Sequence, residues 1–137
     1  RTAEIIGEVL GLTITPDPLW MEANNGGLAG LTFAEARERF PIPDFYGPFD
    51  HMAETGESSY ELRARAVTAL QSIVDLPDGR YLIVSHGGIL NETLRAICSI
   101  PVAVNFSGVS LSFGDTSHID VSYLKSHHKW SIREFRR

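Results

Sequence analysis

Cysteine is almost missing from this chain. Cys98 stands alone, so no internal disulfide can form, and a reducing compartment, the cytoplasm, is expected. It falls in an apolar helical pattern, where a buried structural thiol is expected rather than a nucleophile. Long apolar runs are missing too. None approaches the roughly 20 residues that cross a bilayer, and the opening residues lack a secretory leader pattern, so no membrane partner is expected. An excess of positive charge is also absent. The net charge of -5 excludes a broad nucleic-acid footprint, while leaving room for a small basic pocket that takes an anion. The basic residues between Lys125 and Arg137 alternate with apolar ones and fit one exposed face of a strand. Histidines are few and scattered, apart from the adjacent His127 and His128. No pair has zinc-site spacing, so no metal is expected. Repeats, low-complexity segments and linkers are missing as well. A single domain over residues 1–137 is expected, with 43% hydrophobic and 21% charged residues to build one core.

What is present is helical first. Ile5, Ile6, Val9 and Leu10 share one apolar helix face, and Gly11 ends it. No cap residue precedes that helix, so an upstream segment is expected to be missing. Residues 12–15 and 19–22 read as short extended pieces around Pro16 and Pro18. A glycine cluster, Gly26, Gly27 and Gly30, forces a turn-rich loop. Thr32 with Glu35, and Ser58 with Glu61, have capping-box spacing. The first opens a short helix to about Phe40. The second opens the best helix of the chain, with Leu62, Ala66, Ala69, Leu70 and Ile73 in register. Between them, residues 41–57 lack periodicity and carry Phe45, Tyr46, Phe49 and His51. Such a stretch is either a binding loop or a surface loop held down by its aromatics.

Residues 81–85 form a short run of strand formers, expected as a buried, parallel strand. Gly87 and Gly88 break it, and Ile89, Leu90, Leu94, Ile97 and Cys98 mark another amphipathic helix. After Pro101 the period becomes two, predicting strands over 109–113, 118–124 and 129–135, with Gly114 and Asp115 as a hairpin connection. The expected fold is α/β: a mixed, mostly parallel sheet flanked by helices, with antiparallel edge strands.

Chemistry concentrates at the end of the 81–85 run. His86 is followed by two glycines and a helix start. Ligands collect at the carboxyl ends of strands in open α/β sheets, and a helix N-terminus offers N–H groups suited to phosphate. His86 therefore reads as an anion ligand or, alternatively, as a turn-capping side chain. The oxyanion-hole use of His-Gly-Gly needs a Gly-x-Ser-x-Gly elbow downstream, and none follows. Glu22 lies between the apolar Leu19, Trp20 and Met21 and the glycine loop. It is a surface carboxylate or a general acid that holds its proton more tightly than usual. Glu57 precedes a helix, where a carboxylate is electrostatically welcome.

Together these segments resemble the histidine phosphatase (phosphoglycerate mutase-like) superfamily. The resemblance rests on four motifs in register: Thr2-Ala3; Trp20-Met21-Glu22 with Gly26 and Gly30; Gly56-Glu57-Ser58; and Ser85-His86-Gly87-Gly88. Trp20 replaces the family's leucine, and Arg65 falls where the family often has an arginine. The resemblance implies covalent phosphoryl transfer through a phosphohistidine. It implies that His86 and Gly87 bind the phosphoryl oxygens, that Glu22 is the catalytic proton donor, and that no cofactor or metal is required. Ser85 would support the turn. The aromatic loop residues Phe45, Tyr46, Phe49 and His51 are candidates for the substrate pocket of a small phosphorylated metabolite. A phosphomonoesterase is expected ahead of a phosphoglycerate-type mutase or a non-catalytic phosphate-binding member. The family's Arg-His-Gly motif occurs nowhere in these residues. A domain lacking its first strand and nucleophilic histidine, and inactive alone, is therefore expected. A dimer is compatible with all of this.

Overall fold

The computed structural model describes residues 1–136 except 106, 113 and 115. Four α-helices and one antiparallel hairpin make up the regular structure: α1 (Thr2–Leu10), α2 (Phe33–Arg39), α3 (Ser59–Val74), α4 (Gly87–Ile97), β1 (His118–Leu124) and β2 (Lys129–Arg136). No helix among the described residues is long and apolar enough to cross a membrane.

Local chemistry explains the helix ends. Gly11 closes α1 in the left-handed region (φ 65°), which costs glycine little. Both capping boxes form. Thr32 accepts from Glu35 N–H ahead of α2, and Ser58 accepts from Glu61 N–H ahead of α3, with each glutamate returning the bond. Residues 18–20 are not extended. Asp17 caps Leu19 N–H, and Pro18–Trp20 winds into a single 3-10 turn, because proline at a first helical position is already at a helical φ.

The core lies where α3 and α4 pack. Ala66, Ala69, Ile89 and Leu94 are its buried apolar residues. The two alanines let the helices approach closely, and burying Ile89 alone is worth about 2 kcal/mol. A charged cluster closes the far end. Arg63 Nε meets Glu92 Oε2 at 2.8 Å, Arg63 Nη1 reaches Ile100 O at 2.7 Å, and Arg95 pairs with the other Glu92 oxygen. Cys98 is exposed, not buried. It is the C-cap residue of α4, which ends at Ile97.

β1 and β2 pair antiparallel, with a register shift between Asp120 and Val121. Tyr123 faces Trp130 with ring centroids 4.5 Å apart. Both rings look onto Val67 and Leu70 of α3 and Ala96 and Ile97 of α4. Lys125 ties the hairpin turn to the end of α3 through Leu76 O, at 3.0 Å.

The sheet differs from the expectation. It has two strands, both antiparallel, and no parallel pairing occurs among the described residues. Residues 81–85 have no ladder partner among the described residues. Nor do 109–112 form a strand, for a visible reason. Asn91 binds Leu111 at both its N–H and its carbonyl, and Arg95 Nε takes Val109 O at 2.8 Å. Side chains of α4 thus occupy the backbone groups that a ladder would need. Phe113 and Asp115, expected in a strand and its turn, lie outside the described residues.

The two capping boxes differ in burial, since Ser58 is buried and Thr32 is not. Ser58→Ala is expected to cost about 1–2 kcal/mol and Thr32→Ala about half that or less. Urea denaturation of both variants checks the order.

Candidate functional site

Glu22 sits directly on the segment that follows His86. Its carboxylate accepts from Gly88 N–H at 3.0 Å and Ile89 N–H at 3.1 Å, and from its own neighbour Ala23 N–H at 2.9 Å. The carboxyl group therefore sits on the N-terminus of α4, whose first N–H groups have no partner within the helix. Two of the N–H groups expected for a phosphate are thus taken by the protein's own carboxylate. Gly88 permits this. A Cβ there would overlap Glu22 Oε1, whereas a Cβ at Gly87 would meet nothing within 4 Å. His86 is the residue before α4, in an extended conformation (φ -120°, ψ 165°), and both His86 and Gly87 are exposed.

The segment carrying Glu22 is gripped from behind. Arg65 on α3 donates through Nη1 to Leu19 O at 2.9 Å and Met21 O at 2.7 Å, and through Nη2 to Glu22 O at 3.2 Å. Its Nε and Nη2 form a fork with the two Glu57 oxygens, each at 2.7 Å. Ser85 Oγ donates to Trp20 O at 2.5 Å. Glu57 also accepts from Asn24 N–H at 2.8 Å, and its own N–H donates to Asn24 O at 2.8 Å. Gly26 and Gly56 bring the two loops together backbone to backbone, since a Cβ on Gly56 would lie 2.5 Å from Asn24 O. The Arg65 hydrogen bonds hold the Glu57 carboxyl below the usual carboxylate range, with Asn24 N–H adding to the effect, and Glu57 in turn pushes the Arg65 guanidinium up.

The aromatic loop residues have contacts of their own. Phe49 stacks flat on Tyr60, with centroids 4.3 Å apart. His51 Nε2 lies 3.4 Å from Glu61 Oε2. Tyr46 N–H donates to Asn105 Oδ1, and Asn105 N–H returns to Tyr46 O at 2.8 Å. Burial raises the Tyr46 hydroxyl, with the Asp50 carboxylate adding to it. Phe45 is exposed. These contacts tie the loop to α3 and to residue 105, and the end of the same loop meets the Glu22 segment through Gly56 and Glu57.

Sequence reasoning singled out Glu22, Ser85, His86 and both glycines, and the structure brings these segments together. It passed over the Glu57–Arg65 pair as a structural unit. The available signal was a carboxylate just before the Ser58 cap and an arginine two helical turns beyond it.

The motif order and the family comparison point to the same superfamily. The model of the histidine phosphatase superfamily (branch 1) matches residues 1–132, and the chain belongs to that superfamily. Among curated proteins it is similar to the "Probable phosphoglycerate mutase GpmB" of Escherichia fergusonii, 37% identical over 105 residues, covering 74% of this chain and 49% of that protein. The protein of the same name from Citrobacter koseri matches to the same extent, 37% over 105 residues. The chain spans about half the length of these relatives. Among solved structures, "Mycobacterial hydrolase 1" superposes with a TM-score of 0.71 over 97% of this chain and 68% of that one, at 23% identity, which supports the fold alone.

Two outcomes follow from the geometry. Gly88→Ala should destabilise the protein by about 1–2 kcal/mol, because the new methyl displaces the Glu22 carboxylate. In a Glu22→Ala background the same change should be neutral or stabilising, as alanine in a helix normally is. A double-mutant cycle by urea denaturation reads the change of sign. The second outcome concerns acid. A folded-state value held down means that Glu57 stabilises fully above its unfolded value of about 4.3 and loses that contribution as pH falls through the lower folded value. Stability should therefore drop less steeply between about pH 6 and about pH 3 in Arg65→Ala than in the parent. Equal slopes in paired urea titrations would contradict this.

Proposed function

We propose that this domain works on phosphomonoesters, hydrolysing them through a phosphohistidine intermediate. The observation that carries the proposal is the docking of Glu22 on Gly88 and Ile89, immediately after His86. It sets a carboxyl group able to exchange protons beside a residue able to donate to a phosphoryl oxygen. Membership of the histidine phosphatase superfamily supports the reaction class.

In this reading the imidazole of His86 and the Gly87 N–H hold the non-bridging oxygens. A nucleophilic histidine nitrogen attacks phosphorus as the bond to the ester oxygen breaks, and Glu22 gives its proton to that leaving oxygen. Glu22 then takes a proton from water, whose oxygen attacks the phosphohistidine and releases phosphate. No Arg-His-Gly occurs in the sequence, so we place the nucleophile outside these 137 residues. Phe45, Tyr46, Phe49 and His51 are assigned to the leaving-group side, as part of the proposal. The names of the relatives favour one second reading, a phosphoglycerate-type mutase that returns the phosphoryl group to a three-carbon acid.

The test uses two proteins. The 137-residue chain should not turn over p-nitrophenyl phosphate. A version extended to the length of its relatives should, and His86→Ala should lower its kcat by roughly 100-fold or more. Turnover by the short chain that His86→Ala abolishes would overturn the placement of the nucleophile. Product analysis with a phosphorylated three-carbon acid separates the two readings: free phosphate for hydrolysis, an isomer for the mutase.

A further inference from the structure

All four backbone carbonyls from Leu19 to Glu22 accept a hydrogen bond from a distant side chain. Ser85 takes Trp20, and Arg65 takes Leu19, Met21 and Glu22. A guanidinium has five N–H donors, and here each has a partner: two on Glu57 and three on this segment. Both members of the Arg65–Glu57 pair are largely buried, with side-chain exposures of 18% and 19%. The carboxylate therefore fixes the plane of the fork. Holding an irregular segment to a helix does not require three carbonyls on one planar cation. Fixing the position of the side chain at its end does.

We propose that Arg65, oriented by Glu57, is a positioning residue that sets the Glu22 carboxyl group where it protonates the leaving oxygen. The inference rests on the assignment of Glu22 as proton donor. It makes a demand that a merely structural arginine does not. In the proposed reading Glu22 also activates the water, so a displaced Glu22 should lower kcat for every substrate. The loss in kcat/KM, which stops at departure of the leaving group, should in addition depend on that group. A nitrophenolate leaves without a proton, whereas an alkoxide needs one. Lysine retains the charge but has only three donors and no plane, so Arg65→Lys tests position rather than charge.

In a version extended to the length of its relatives, Arg65→Lys should lower kcat/KM, which covers only the steps through departure of the leaving group, by roughly 10-fold or more for an alkyl phosphate and by about 2-fold or less for p-nitrophenyl phosphate. Glu22→Gln should give the same pattern more strongly. Glu57→Gln, which keeps a hydrogen-bonding side chain of the same size, should reproduce it if the lysine variant fails to fold. Amide exchange provides a readout without turnover: Gly88 and Ile89 should lose protection in Arg65→Lys while Leu94 keeps it. Leaving-group dependence in Glu22→Gln, with none in Arg65→Lys or Glu57→Gln and protection unchanged, would overturn the positioning role alone. If Glu22→Gln itself shows no leaving-group dependence, the proton-donor assignment falls, and the exchange data still decide whether Arg65 sets the position of Glu22.

Discussion

One guanidinium holds the front of this molecule together. Arg65 gathers the Glu57 carboxylate and three carbonyls from a segment 43 to 46 residues away in sequence. Withdrawing that charge from water is costly unless every donor finds a partner. Here each donor does, so the arrangement is stable only in this geometry. A lysine would leave carbonyls unmet, and an apolar side chain would strand both Glu57 and the backbone of 19–22. The constraint passes outward from there. The glycine contact between Gly26 and Gly56 and the mutual bonds of Asn24 and Glu57 depend on the two loops being held at this distance.

Helices α3 and α4 each have an apolar side and a charged end, and the two charged ends differ. Arg63, Glu92 and Arg95 form a triad that ties Ile100 and Val109 to the helix pair. That triad closes the core and draws 109–112 away from any ladder. Arg65 and Glu57 instead grip a segment whose last side chain reaches back to α4. The N-terminus of α4 thus has its position set twice: by packing of Ile89 against α3, and by Glu22 arriving from a chain that α3 itself holds. Those two routes make the site part of the rigid scaffold rather than of a loop, which is where a group needing accurate placement belongs.

Much of this was legible in the residues. Capping boxes are local, and both formed where Thr32 and Ser58 stand. The hairpin of β1 and β2 follows from alternation. Gly11 stopped α1 for the reason expected of it. What failed were statements about long-range partners. Residues 81–85 have strand-forming composition, but a strand is defined by its neighbour, and composition does not supply one. Residues 109–112 alternate suitably, yet Asn91 and Arg95 bind them first. Cys98 follows the apolar spacing of α4 but lies past its last residue. At the site, Glu22 and His86 were visible as residue types beside glycines. The Arg65–Glu57 grip was not, because hydrogen bonds to carbonyls far along the chain leave no periodic trace.

The pair of glycines after His86 can now be divided. In the sequence both simply follow His86 at a helix start. Gly88 makes room for the protein's own Glu22, whose oxygen occupies the space a Cβ would fill. Gly87 faces open space. A helix N-terminus favours negative charge through only its first few N–H groups, and Glu22 already holds two of them, at Gly88 and Ile89. An incoming phosphoryl group therefore meets an occupied helix end. In the proposed reading it binds to His86 and the Gly87 side, beside a carboxyl group instead of in its place. Anion binding and proton donation would then be separated by a single residue along the backbone, and the His-Gly-Gly sequence is what keeps them adjacent without overlap.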